Sequence, residues 1–238
     1  MPDDGSIQLK SRVNDHSILV IAGPLARTLL DKVARGDWSS EAFPWLSVRK
    51  GFIGIAPATI MAVSFSGEPA FEIHVELPYL YSAYQALQQA GKDMNLSLFG
   101  ARAVESMRME KGYLHWKSEL ITEFNPFEAG LEKFVHLSKN FIGKDALLAQ
   151  QKIGLRRKLV MLDVESCDMP AHSGASIMDN NRVIGTITTG AWGYRIGRNL
   201  AFAYIDPSHA EIGQKVIIDM LGENINAEVI PRMSFFAE

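Results

Sequence analysis

The sequence predicts an α+β fold, in which a ferredoxin-like split βαβ domain is followed by a small C-terminal all-β barrel. Up to about residue 110, strand-like and helix-like runs follow in the order strand–helix–strand–strand–helix–strand. From Lys158 onward, six strand-like runs are punctuated by Gly, Asn and Pro, with no convincing helix between them. A length of 238 residues with 47% hydrophobic content is enough to bury one large core or two small ones.

The elements follow from local chemistry. Ser17 to Ala22 is a short apolar strand. Gly23 and Pro24 open a helix through Arg35, with Pro24 at a position that needs no N–H and Gly36 as its stop. Phe52–Ala56 and Thr59–Phe65 are strand material interrupted by Pro57. Phe71 to Leu77 alternates strictly, so Phe71, Ile73, Val75 and Leu77 share one face and Glu72, His74 and Glu76 the other. The turn Ser66-Gly-Glu-Pro69 joins the last two runs as a hairpin. Pro78 begins a helix that ends at Gly91, and Leu96–Phe99 reads as one more strand. The helix carrying Arg102 and Arg108 stops at Gly112. Asn125 to Leu131, with its Pro and Gly, is a shaped loop. Phe141–Ala149 is a short amphipathic helix, and Gly154 to Arg157 is a linker.

The six later runs are 159–164, 175–178, 183–189, 200–205, 215–220 and 225–230. On pattern alone they suit either a barrel or a sandwich. The domain reading is a flexible tail at 1–14, an α+β region at 15–153 and the β region at 154–238.

Composition narrows the function. A net charge of −3 with no long basic run argues against nucleic-acid binding. The single cysteine, Cys167, excludes an internal disulfide and a Cys-rich zinc site, and no paired His gives it a nucleophile's context. No apolar segment is long enough to span a bilayer. The N-terminus does not read as a signal peptide. The location expected is the cytoplasm. His74, His115 and His172 lack metal-ligand spacing. Neither a dinucleotide fingerprint nor a Walker A motif is present.

Two segments carry candidate chemistry. Tyr113, His115 and Trp116 place three rings beside Arg108, Glu110 and Glu128, which suits either a core cluster or a clasp for a flat polar ligand. Glu68 and Glu72 fall on one hairpin. If the Glu72 face lines a cavity, its carboxylate suits a donor–donor heterocycle edge; otherwise it is a solvated surface. Arg102 suits either a ligand carboxylate held bidentately or an ion pair with Glu105.

Phe65-Ser-Gly-Glu-Pro-Ala-Phe-Glu72 resembles the Tyr-Thr-Gly-Glu-x-Gly-Phe-Glu signature of the glycine-cleavage T-protein (aminomethyltransferase) family. Gly100-Ala-Arg102, Arg108-Met-Glu110, Asn125 to Leu131, Phe141 to Leu147, Arg157-Lys-Leu159 and Gly185 to Gly190 follow in the family's order. Phe43-Pro-Trp45 and Met109 to Trp116 are most similar to the folate domain of dimethylglycine and sarcosine dehydrogenases. The resemblance runs from about residue 15 to 230.

It implies tetrahydrofolate binding and one-carbon transfer. Glu72 would hold the pterin edge and Arg102 would lie in the folate site. Phe65 replaces the signature Tyr, while Tyr113, Trp116 and Trp192 fall at aromatic positions, Trp192 in a barrel loop. No catalytic residue and no metal ligand is implied. The family's N-terminal third, with its Gly-Gly-x-x-Asp-Asp-Leu segment, has no counterpart here; Asp3 and Asp4 form a polar tail. A basic C-terminal tail is missing too. The partners this suggests are a flavoprotein, a subunit carrying the missing third, or a second copy. The competing readings are a non-catalytic partner or regulatory subunit and an iron–sulfur assembly branch, whose Lys-Gly-Cys-Tyr-x-Gly-Gln-Glu motif is absent.

Overall fold

The computed structural model describes residues 4–166 and 169–232. Cys167 and the segment after Arg232 lie outside the described residues. The chain divides into two units, one ending at Gly100 and the other beginning at Ala101.

The first unit is a four-stranded antiparallel sheet in the order β1-β4-β3-β2. Its strands are β1 (His16–Ala22), β2 (Val48–Ile53), β3 (Ala56–Met61) and β4 (Ala70–Glu76). Both β1 and β3 are antiparallel to β4, so they run the same way with β4 between them, which is the split arrangement expected. Alternation sends Phe71, Ile73 and Val75 inward with Ile60 and Ile53. There they meet Leu29 and Leu30 of helix α1 (Ala26–Val33) and Ala83 and Leu87 of helix α2 (Leu80–Gly91). Trp38 and Phe43 complete this core edge to face, with ring centroids 5.0 Å apart. The helices therefore cover one face of the sheet, and the other keeps Ile18, Val20, Val48 and Phe52 exposed.

Three expectations change here. The β2–β3 turn falls at Gly54, whose φ of 60° suits glycine, and Pro57 lies inside β3 where that strand pairs with β2 alone. Leu77 leaves the alternating strand for a 3-10 turn and is 45% exposed. Leu96–Phe99 forms no strand: the chain after α2 tightens into a 3-10 turn, Asn95 takes a left-handed φ of 53°, and Leu96 packs back over Gly91.

The second unit centres on a closed antiparallel barrel in the order β10-β5-β8-β7-β6-β9. Its strands are β5 (Lys158–Val164), β6 (Ser176–Asp179), β7 (Arg182–Gly193), β8 (Arg198–Ile205), β9 (Lys215–Met220) and β10 (Glu223–Ile230). All six correspond to strands read from the sequence. Closure removes both free edges, which settles barrel against sandwich.

β8 shows why this unit begins at Ala101. Ala201, Ala203 and Ile205 point into the barrel, whereas Leu200 and Phe202 point outward and are equally buried. The cover is helix α3 (Ala101–Glu110), which brings Met109 against Leu200 and Phe202, and the segment after it. Gly112, with φ of 66°, ends α3 as expected. Helix α4 (Lys144–Ile153) follows the loops and leads into β5.

Candidate functional site

In the first unit, β4 is a central strand, so neighbours on both sides fix its main chain. Glu72 pairs with Val20 and Met61, and His74 with Ile18 and Thr59. Both side chains project from the face that the helices leave open. His74 Nε2 lies 3.1 Å from Glu72 Oε2, with the side chains 25% and 36% exposed. Beside them is an open cleft of about 610 Å³, whose walls include Arg12, His16, Lys50, Thr59, His74 and Glu76. That volume falls within the range of small-molecule pockets. The face that carries Glu72 borders this cleft at His74, while Glu72 itself is not one of its walls.

The signature turn is organised by hydroxyls. Ser64 Oγ accepts from the Gly67 N–H at 3.0 Å, and Ser66 Oγ accepts from the Glu68 N–H at 3.4 Å. Phe65 belongs to this turn rather than to a strand, because β3 ends at Met61; its ring is 37% exposed.

In the second unit, the charges beside the aromatic run have another role than the clasp. Arg108 is fully buried. Its guanidinium donates to Glu119 Oε2 at 3.1 Å, to Glu105 Oε2 at 2.8 Å and to the Tyr113 carbonyl at 2.8 Å. Glu110 is buried and accepts from the Arg195 N–H. Glu128, also buried, accepts from the Asn125 N–H at 3.0 Å while Asn125 Oδ1 accepts from the Glu128 N–H at 3.1 Å. That reciprocal exchange shapes the Asn125–Leu131 loop like a capping box. Buried charges with these partners hold the fold and do not wait for a ligand.

The residue that organises this region is Glu119, which the sequence reading missed. It is 0% exposed and accepts from Arg108, from the His115 N–H at 2.8 Å, and from the hydroxyls of Thr188 at 2.8 Å and Thr189 at 2.7 Å. Consecutive strand residues normally point to opposite faces. Here the register of β7 shifts between Ile187 and Thr189, a bulge that turns both threonines toward one carboxylate. Tyr204 donates its hydroxyl to the Glu119 carbonyl at 2.9 Å and stacks on Phe124 at 3.5 Å between centroids. Burial, with the nearby Glu119 and Glu128 carboxylates, holds the Tyr204 phenol well above its ordinary range. Only the repeated threonines of Thr186-Ile-Thr-Thr189 hinted at such a partner.

The remaining candidates separate. Arg102 sits exposed in the first turn of α3, and the Glu105 proposed as its ion-pair partner binds Arg108 instead. Tyr113 is half-buried, fixed through its backbone to Arg108. Trp116 projects at 78% exposure from the turn that Glu119 closes. Trp192 lies within β7, not in a barrel loop, and its carbonyl accepts from the Ser106 hydroxyl. Glu72 and Phe65 thus belong to the first unit, and Arg102, Tyr113, Trp116 and Trp192 to the second. No group of three His, Cys, Asp or Glu is placed to hold a metal ion among the described residues.

An antiparallel α+β unit joined in sequence to a closed six-stranded barrel defines the class, and comparison with known proteins gives the family. Residues 1–139 match the GCVT N-terminal domain and residues 157–235 the glycine cleavage T-protein C-terminal barrel domain, so the chain belongs to the glycine cleavage T-protein family. Mouse mitochondrial dimethylglycine dehydrogenase is 35% identical over 226 residues, 94% of this chain and 26% of the relative. Mouse mitochondrial sarcosine dehydrogenase is 35% identical over 206 residues, 84% of this chain and 22% of the relative. The aminomethyltransferase of Thermoanaerobacter pseudethanolicus is 31% identical over 227 residues, 95% of this chain and 61% of the relative. Each of these relatives is therefore considerably longer than the chain. The fold matches the crystal structure of aminomethyltransferase T from Bartonella henselae with a TM-score of 0.79 at 22% identity, covering 91% of this chain and 58% of that one.

Proposed function

We propose that the chain binds tetrahydrofolate and takes part in one-carbon transfer, of a methylene or aminomethyl unit, together with a partner that supplies the unit. The observation that carries this reading is Glu72: a partly exposed carboxylate on a rigid central strand, at the end of the family signature, hydrogen-bonded to the His74 that lines a cleft. The donor set fits the ligand. An ionised carboxylate only accepts hydrogen bonds and so complements the adjacent N–H donors of a pterin edge. Arg102 is an exposed guanidinium suited to the ligand's carboxylates, and Phe65, Tyr113, Trp116 and Trp192 supply ring faces.

Bound tetrahydrofolate would supply the nucleophilic amine that accepts the one-carbon unit. The chain's own contribution is orientation: Glu72 would fix the pterin end of the ligand. The names of the relatives support the reaction class, since dimethylglycine and sarcosine both carry N-methyl groups and an aminomethyltransferase moves an aminomethyl unit. Among the described residues no helix is long and apolar enough to cross a membrane. A cytoplasmic location, with a flavoprotein, a further T-protein-like subunit or a second copy as partner, completes the proposal.

A second reading, a non-catalytic partner or regulatory subunit, is favoured by one observation. Arg108, Glu110 and Glu128, the charged groups of the aromatic segment, are all engaged in holding the fold. Isothermal titration with 5-formyltetrahydrofolate tests binding. The expected result is saturable binding that weakens at least tenfold in Glu72→Ala, and no binding at millimolar ligand overturns the first reading. Binding without one-carbon transfer in the presence of a donor flavoprotein selects the second.

A further inference from the structure

The register around Glu72 leaves its carboxylate with a particular dependence. Its cross-strand neighbours on the open face, Val20 and Met61, are apolar and donate nothing. The hydrogen bond that holds the carboxylate comes from its own strand, from His74 Nε2 at 3.1 Å. His74 is in turn placed between Ile18 and Thr59, with Lys50 beyond Thr59 in the same row. Two inter-strand spacings put that lysine roughly 10 Å from His74 at the backbone. Glu76, two residues on, could compete for the imidazole. It faces Arg12 instead, whose guanidinium lies 3.8 Å away and also contacts His16.

From this geometry we infer that His74 is the positioning residue of Glu72: its Nε2–H holds Oε2, so that the rest of the carboxylate is preset toward the ligand. The inference rests on the folate reading above for the identity of the ligand. A free glutamate side chain on an open face samples several rotamers, and ordering it on binding lowers affinity. Fixing one oxygen beforehand removes that cost. A carboxylate has about four acceptor positions, so ample capacity remains for a donor–donor edge. The role requires a proton on Nε2, which the neutral Nε2–H tautomer and the imidazolium both provide.

Two measurements on the full chain test this. Titration with 5-formyltetrahydrofolate should show His74→Leu binding about tenfold more weakly, since a hydrogen bond to a charged group is lost. His74→Gln, which retains an N–H donor of similar reach, should stay within about threefold of wild type. In the Glu72→Ala background, His74→Leu should cause no further loss, the signature of an effect passed through Glu72. An equal loss with or without Glu72, or no loss in either background, overturns the inference. The second measurement needs no ligand: ring ¹⁵N spectra should show His74 as the Nε2–H form in wild type and as mixed tautomers in Glu72→Ala. Mixed tautomers in wild type overturn the positioning role even where folate binds. A locked tautomer in a chain that binds no folate leaves the His74–Glu72 coupling standing and overturns the proposed function instead.

Discussion

Replacing Arg108 by Leu should be strongly destabilising. The side chain is 0% exposed, as is its partner Glu119. The substitution removes hydrogen bonds to Glu119, Glu105 and the Tyr113 carbonyl, and the stacking of the guanidinium 5.7 Å from the Phe202 ring. Glu119 keeps three donors, the His115 N–H and two threonine hydroxyls, but no positive charge. Breaking a buried pair in this way costs about 3–5 kcal/mol. Against a typical domain stability of roughly 5–15 kcal/mol, that is about a fifth or more, equivalent to a fall in Tm on the order of 10 °C. The sharper test is one of sign. Glu119→Gln alone should destabilise the wild type by about 1–3 kcal/mol, since Arg108 then loses its buried counter-charge. In the Arg108→Leu background the same change removes a stranded charge and should raise stability. Urea denaturation of the four proteins measures all the terms. A loss below about 1 kcal/mol for Arg108→Leu, or a further fall on adding Glu119→Gln, refutes the account of a buried ion pair closed by the barrel threonines.

Further outcomes follow from other sites. A Cβ at Gly190 would lie 2.1 Å from the Ala171 carbonyl oxygen, so Gly190→Ala must displace backbone; a loss of about 1–3 kcal/mol is expected, read by the same denaturation. Thr188→Val and Thr189→Val each remove one donor from Glu119, and each should cost about 1–2 kcal/mol, with the double mutant departing from the sum because both serve one oxygen. The Ser208 hydroxyl and N–H hold the Asp206 carboxyl below its usual range. A depressed folded-state value gives a stabilising contribution that is present above the unfolded carboxylate value of roughly 3.9 and is lost as pH falls through the folded value. Carboxyl ¹³C titration of Ser208→Ala should therefore show the Asp206 midpoint rise toward the ordinary carboxylate value, and an unchanged midpoint would contradict that cause.

The strands were the most legible part of the chain, and for a physical reason. Each barrel strand alternates or runs apolar between turn residues, and a closed barrel uses that pattern locally at every strand. Leu96–Phe99 shows the limit. Four residues of strand composition carry no information about whether a neighbouring strand is there to pair with, and here the chain runs on without one. The 112 stop and the Asn125 loop were readable because glycine geometry and capping chemistry act within a few residues. The Glu119 cluster was not, because its two threonine donors come from positions 69 and 70 residues away and depend on a bulge that the sequence does not announce.

The same distance separates the two sets of acidic residues by role. In the sequence, Glu72, Glu110 and Glu128 stand as candidates for holding a ligand, and Glu119 passes unremarked. In the fold, the last three are buried and their acceptor capacity goes to backbone N–H groups, hydroxyls and Arg108. Glu72 alone of the four combines a rigid strand, partial exposure and lone pairs beyond those His74 uses. The buried glutamates nevertheless affect recognition indirectly. Glu119 ties the His115 N–H to α3 and β7, so the turn that presents Trp116 is ordered by folding itself. An exposed ring on a fixed turn meets a ligand or partner without the ordering cost that a mobile loop would add. Stability and recognition in this region are thus coupled: Glu119→Gln should loosen the Trp116 turn in hydrogen exchange before the barrel as a whole opens.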